Sequence, residues 1–285
     1  MKQLIVNADD YGATPGVSRG ILEAHHKGIV TSTSVMIGCA NAVEAVHEAL
    51  HTAPDLGLGL HFTLSGTGLR PILPPDEVRS LVQADGTFYP IKTWLAHYAD
   101  FDPSEIEREM AAQCECFIDV AEQQPDHLDG HHHAVYRHPA SLLTLFNLAD
   151  HYRIPIRNPG FDGTLDTQHK LLNDLLNDLP DAVRDSSIAA VSAILAERRV
   201  LWPDRFEGNF YDATATLGDL LLMLTNLPDG MSELMCHPGY VDEYLHSDYT
   251  TKREDEIAAL THASVREVVK SEEIALVKFN AVTTP

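Results

Sequence analysis

Short apolar runs alternate with longer amphipathic stretches from one end of the chain to the other, the pattern of strand, helix, strand and a largely parallel sheet. Leu4 to Asn7 reads as the first strand. Thr14-Pro15 then supplies an N-cap and first-turn pair, Val17, Ile21 and Ala24 follow at helical spacing, and Gly28 is the stop. Val30 to Ile37 is a β-branched second strand, Ala42 to His51 a second helix, and Leu56 to Leu64 a third strand. The stretch from Ser65 to Tyr89 carries several Pro and Gly and is too long for an ordinary connection, so it is expected to form a lid or substrate loop.

The next helix is well signed, with Asp102 as N-cap, Pro103 in the first turn, Glu105 closing a capping box, and Ile106, Met110, Phe117 and Ala121 along one face. It leads to a fourth strand, His127-Leu128-Asp129. Ser141 to Tyr152 is helical, Ile154 to Arg157 a fifth strand, Leu234 to Cys236 a later one, and Ile274 to Phe279 the last. Residues 161 to 200 read as a helix-rich insertion or outer layer. The count suits one α/β domain over 1–285, a distorted, TIM-like (β/α) barrel of mostly parallel strands, although periodicity alone does not separate it from an open sheet.

Composition agrees with one sizeable core: 285 residues, 44% apolar and 22% charged. A formal charge of −22 repels phosphate backbones and anionic lipid heads, which argues against nucleic-acid and membrane partners. The scattered cysteines, Cys39, Cys114, Cys116 and Cys236, read as free thiols of a reducing compartment. The first apolar run ends at once in two aspartates and is neither leader nor membrane span, so the expected location is the cytoplasm.

The polar groups that need explaining fall where strands end, and in barrels of parallel strands that is where active sites are built. Asn7-Ala8-Asp9-Asp10-Tyr11-Gly12 places two adjacent carboxylates at the tip of the first strand; a turn cluster is the plainer reading of that pair by itself. In Gly57-Leu58-Gly59-Leu60-His61, alternation sends the leucines to one face and the glycines with His61 to the other, leaving open volume beneath the imidazole; a satisfied core histidine is the competing reading.

The strongest local signal is His127-Leu128-Asp129-Gly130-His131-His132-His133. Alternation puts His127, Asp129 and His131 on one side, and Asp129 can orient a metal-binding ring two residues away by taking its other proton. Late in the chain, alternation aligns Glu233 with His237, a candidate general acid or a loop histidine capping a turn. Together these signals give one Asp and two His as ligands, plus a spare carboxylate, around a divalent ion able to acidify water and polarise a carbonyl.

From NADDYG through GIVTSTSVM, GLHFTL and PDHLDGHHH to IPIR and MCHPGYVD, the sequence resembles the YdjC-like carbohydrate deacetylases, of the chitooligosaccharide deacetylase type, over nearly its whole length. The resemblance implies a distorted (β/α) barrel holding one divalent ion, zinc or magnesium, through Asp10, His61 and His131. It implies Asp9 as general base, His237 as acid and Arg157 orienting Asp9 or lining the pocket, with Asp129 and Tyr11 as supporting or substrate-contacting groups. One departure stands out: similar proteins read HHHVH before a proline, whereas here Val135 lacks that histidine and His138 precedes Pro139.

The implied reaction removes acetyl from a small N-acetylated sugar such as a chitobiose, giving acetate and an amino sugar; a homodimer is compatible with the chain. A divalent-metal lyase or isomerase acting on a sugar could use the same ligands, and a non-catalytic sugar-binding regulator could share the barrel. A spare base argues for turnover.

Overall fold

Polar residues do not end the first strand where apolar patterning predicts. In the computed structural model, which describes residues 1–158, 160, 174, 176, 177, 179–197 and 200–283, β1 runs Lys2–Tyr11 and carries Asp9 and Asp10 within it. Ion pairs described below hold those carboxylates inside the fold. Helix α1 (Pro15–Lys27) begins as expected, Thr14 accepting from Val17 N at 3.2 Å, and ends at Gly28. Strand β2 (Ser32–Val35), helix α2 (Ala42–Thr52) and β3 (Gly57–Phe62) follow.

The Ser65–Tyr89 stretch is strapped down. Glu109, on the helix that follows, accepts from Ile72 N (2.9 Å) and Leu73 N (3.0 Å), and Glu105 accepts from Ser80 N (2.7 Å) and Ser80 Oγ (2.6 Å). A short helix α3 (Ile91–Trp94) precedes α4 (Pro103–Ala121), whose Ile106, Met110, Phe117 and Ala121 are buried as predicted. The capping box is not formed: Asp102 accepts from Ser104 N, but Glu105 turns to Ser80, and Asp102 N donates to Ser80 Oγ at 2.9 Å.

Strand β4 (Leu128–Gly130) enters a helical turn at His131–His133, then α5 (Ala134–Arg137) and α6 (Pro139–Tyr152). The strand expected at Ile154–Arg157 reduces to a bridge between Leu128 and Ile156, because Pro155 offers no N–H to a ladder. Of the 161–200 insertion, 161–173 lies outside the described residues, while α7 (Asp181–Glu197) is helical as expected. Strand β5 (Arg205–Glu207) has no apolar alternation to announce it; α8 (Leu217–Thr225), β6 (Gly230–Cys236), α9 (Lys252–Leu260) and α10 (Ala263–Ser271) complete the run. The last strand, β7, is just Ala275–Leu276, and Phe279 belongs to the next turn.

Among the described residues the named strands all pair in parallel, in the order β4-β3-β2-β1-β6-β5, with β7 beside the start of β1. The sheet curls into a half-barrel, a distorted relative of the TIM barrel, with helices outside. Leu4, Val6, Ala8, Leu58 and Leu60 fill the outer core, while the concave face carries Ile5, Asn7, Asp9, Gly59, His61 and Asp129.

Gly59 does not sit under open volume. A Cβ there would lie 2.2 to 2.5 Å from the His127 ring, which stacks on Phe279 (centroids 3.8 Å, 11°). His127 is therefore a floor residue beneath the site.

Candidate active site

Parallel register carries the site. His61 on β3 pairs with Asp129 on β4, so both side chains emerge on the concave face, and Asp129 Oδ1 meets His61 Nδ1 at 2.8 Å. The sequence reading has Asp129 orienting a ring two residues along its own strand; the structure has it orient His61 across the sheet. Ser34 joins them, its Oγ 2.9 Å from Asp129 Oδ2 and 3.1 Å from His61 Nδ1. With Nδ1 engaged, His61 presents Nε2 to Asp10 Oδ1 at 3.4 Å.

His131 follows β4 directly, and its Nδ1 lies 3.1 Å from the same Asp10 oxygen. The other Asp10 oxygen is taken by Arg253 Nη2 at 2.6 Å. Burial pushes the Asp10 carboxyl up, and Arg253 and His131 outweigh it, holding it well below the usual range. Asp10, His61 and His131 thus offer ligand atoms all within 4.8 Å of one another.

One carboxylate oxygen and two imidazole nitrogens form a donor set suited to a divalent cation, and the carboxylate that fixes His61 is the usual partner of a ligating imidazole. The residues fit such an ion. Asp9, His61 and Asp129 are also close enough to count as a cluster, but Arg157 and His61 already occupy those carboxylates.

Asp9 is held in a fork: Arg157 Nη1 donates to Oδ2 (2.7 Å) and Nη2 to Oδ1 (2.6 Å), with Asn7 Nδ2 at 3.0 Å from Oδ1. Burial raises the Asp9 carboxyl, and Arg157 with His61 more than offsets it, so the group sits below its ordinary value. Arg157 is itself buried, with Nε donating to Glu233 at 2.7 Å. Asp9 Oδ2 lies 3.9 Å from Nε2 of both His61 and His237.

His237 follows β6, and its backbone N–H donates to the buried carboxyl of Glu256. Burial, with Arg253 and Arg157 nearby, lowers the imidazole to about 4, so it is neutral at pH 7. Its Nδ1 is buried and has no hydrogen-bond partner among the described residues.

Of the expected site residues, Asp9, Asp10, His61, Asp129, His131, Arg157 and His237 come together. Tyr11 does not. It is buried in the core, and its hydroxyl donates to Ala45 O of α2 at 2.8 Å. His138 does not replace the missing histidine at Val135 either: its Nδ1 caps α6 by accepting from Ala140 N at 3.2 Å, and its ring lies against Tyr98.

Sequence reasoning missed Arg253, Ser34 and Glu256. Arg253 sits in Lys252-Arg253-Glu254-Asp255, which reads as a solvated helix start and gives no signal; Ser34 faces His61 only through sheet register.

A parallel half-barrel with carboxylates and imidazoles gathered at the C-terminal ends of its strands defines the protein as a barrel enzyme. The sequence model of the YdjC-like protein family matches residues 3–271. A "Carbohydrate deacetylase" from Brevibacillus brevis is 32% identical over 281 residues, covering 98% of both chains. Another so named, from Enterococcus faecalis, is 32% identical over 290 residues, covering 99% of this chain and 98% of its own. A crystal structure from Enterococcus faecalis V583, described as of a "putative cellobiose-phosphate cleavage protein", superposes with a TM-score of 0.81 at 30% identity, covering 98% of both chains. The chain belongs to the YdjC-like protein family. Among the described residues, no helix is long and apolar enough to cross a membrane.

Proposed function

We propose that the chain hydrolyses the N-acetyl group of an N-acetylated sugar of the chitooligosaccharide type, releasing acetate and an amino sugar. It is a deacetylase enzyme, the activity its relatives' names carry. The observation that carries this reading is the position of Asp9 Oδ2, 3.9 Å from Nε2 of His61 on one side and of His237 on the other.

Asp10, His61 and His131 would hold one divalent ion, zinc or magnesium, which when bound supplies Lewis acidity for the acetamide carbonyl and for water. Arg157 keeps Asp9 ionised at neutral pH and fixes its plane, so Asp9 is ready to take a proton from the attacking water as its oxygen bonds to the carbonyl carbon. His237 enters neutral. It receives the proton collected by Asp9 and passes it to the nitrogen as the carbon–nitrogen bond breaks. One water is consumed, and acetic acid and an amine leave. The amine becomes cationic, and a chain of net charge −22 does not repel it.

The test is acetate release from N-acetylglucosamine, its β-linked oligomers and other N-acetylated sugars. Release from at least one of them is expected. No acetate from any saccharide, with Zn²⁺ or Mg²⁺ added, overturns the reading.

A further inference from the structure

The chain leaving β5 brings Tyr211 to the ring of His237, with centroids 5.4 Å apart and planes at 70°. Tyr211 lies flat on Tyr249 (4.2 Å, 18°), yet 43% of it remains exposed. Tyr249 is a firm support. Its hydroxyl donates to Glu256 at 2.5 Å and accepts from Asp212 N at 3.2 Å, and the Arg253 guanidinium sits 5.5 Å from its ring centre. The same Arg253 binds Asp10, so the aromatic pair is tied to the centre through one buried side chain.

A large, exposed ring on a rigid buried base, beside the proton-donating histidine, has no part in the proton transfers described above. Its chemistry matches the apolar C–H face of a sugar. Aromatic rings lining sites contribute broad contact area, and a side chain already ordered by its neighbours loses little freedom on binding.

We propose that Tyr211 is the platform on which the pyranose ring bearing the acetamide stacks, setting its nitrogen toward His237. The proposal rests on the deacetylase reading. Its chemistry is specific to saccharides: acyclic N-acetyl compounds lack the face that the ring would grip.

The test compares wild type, Tyr211→Ala and Tyr211→Phe on N,N′-diacetylchitobiose, with thermal melts and metal content as checks on the fold. The platform predicts that Tyr211→Ala raises KM about tenfold, with a much smaller change in kcat, and that Tyr211→Phe restores the wild-type KM because the ring and not the hydroxyl is used. A loss confined to kcat, or an unchanged KM, overturns it while leaving the deacetylase reading intact. Should wild type release no acetate from this disaccharide or from any other saccharide of the screen above, the deacetylase reading fails, and calorimetric titration with the same disaccharide still decides the platform. Binding by wild type that Tyr211→Ala weakens about tenfold supports it; no binding, or equal binding, overturns it.

Discussion

Neighbouring side chains on a strand point to opposite faces, so Asp9 and Asp10 can share one centre only if the backbone turns between them. It does: Asp10 has φ of 72°, the left-handed region that aspartate tolerates better than most residues. Asp9 keeps the concave face and Arg157, and Asp10 swings to His61, His131 and Arg253. The two carboxylates thus have different partners. Asp9→Asn is expected to lower acetate release about 10²–10⁴-fold, the usual worth of a positioned base, with metal content unchanged in elemental analysis; equal turnover would remove Asp9 from the role. Arg253→Gln is expected to weaken divalent-metal affinity about 10–100-fold in chelator competition, since Asp10 loses the group that fixes its second oxygen. Unaltered affinity would make that ion pair merely structural. The carboxylates, His61 and the triple histidine were legible because such residues seldom end strands together. Arg253 was not, since a cation in a mixed-charge helix start looks solvated.

At the scale of elements, patterning found the strands that are buried on both faces and misjudged those shaped by single residues. Pro155 denies the expected fifth strand a donor, and the last strand stops early so that Phe279 can lie under His127. Alternation suggests that the glycines of β3 leave space for a cavity; in the structure they make room for the His127 and Asp126 side chains. From its length the Ser65–Tyr89 stretch reads as a lid or substrate loop; buried Glu109 fastens Ile72 and Leu73 of it to α4, a contact between distant segments that no local pattern records. Glu109→Ala leaves Ile72 N and Leu73 N without acceptors and is expected to cost about 2 kcal/mol or more in urea unfolding, with faster proteolysis inside 65–89. Unchanged stability and cleavage would mean the loop is held by other contacts.

For the whole molecule, the element count points to a distorted parallel barrel while alternation alone leaves an open sheet equally possible, and the polar interior of the observed half-barrel makes stability depend on pH. Burial raises Glu233 to about 7 and Glu256 to about 8, against 4.5 for an ordinary glutamate. The folded chain therefore keeps protons there that the unfolded chain gives up, so these groups cost increasing stability as pH rises from about 4.5 to about 8. Glu256→Gln removes one of them: relative to the variant, wild type is expected to lose melting temperature between pH 5 and pH 8. A constant difference over that range would show Glu256 to be ionised throughout.

The central claim is that Asp10, His61 and His131 serve one divalent ion beside a separate base, and the most direct test is acetate release from N,N′-diacetylchitobiose by protein stripped with a chelator and then titrated with metal. The account predicts no release from stripped protein, recovery complete at one equivalent of ion, and neither binding nor recovery in His61→Ala. Full release by the stripped protein, or recovery in His61→Ala equal to wild type, would contradict it.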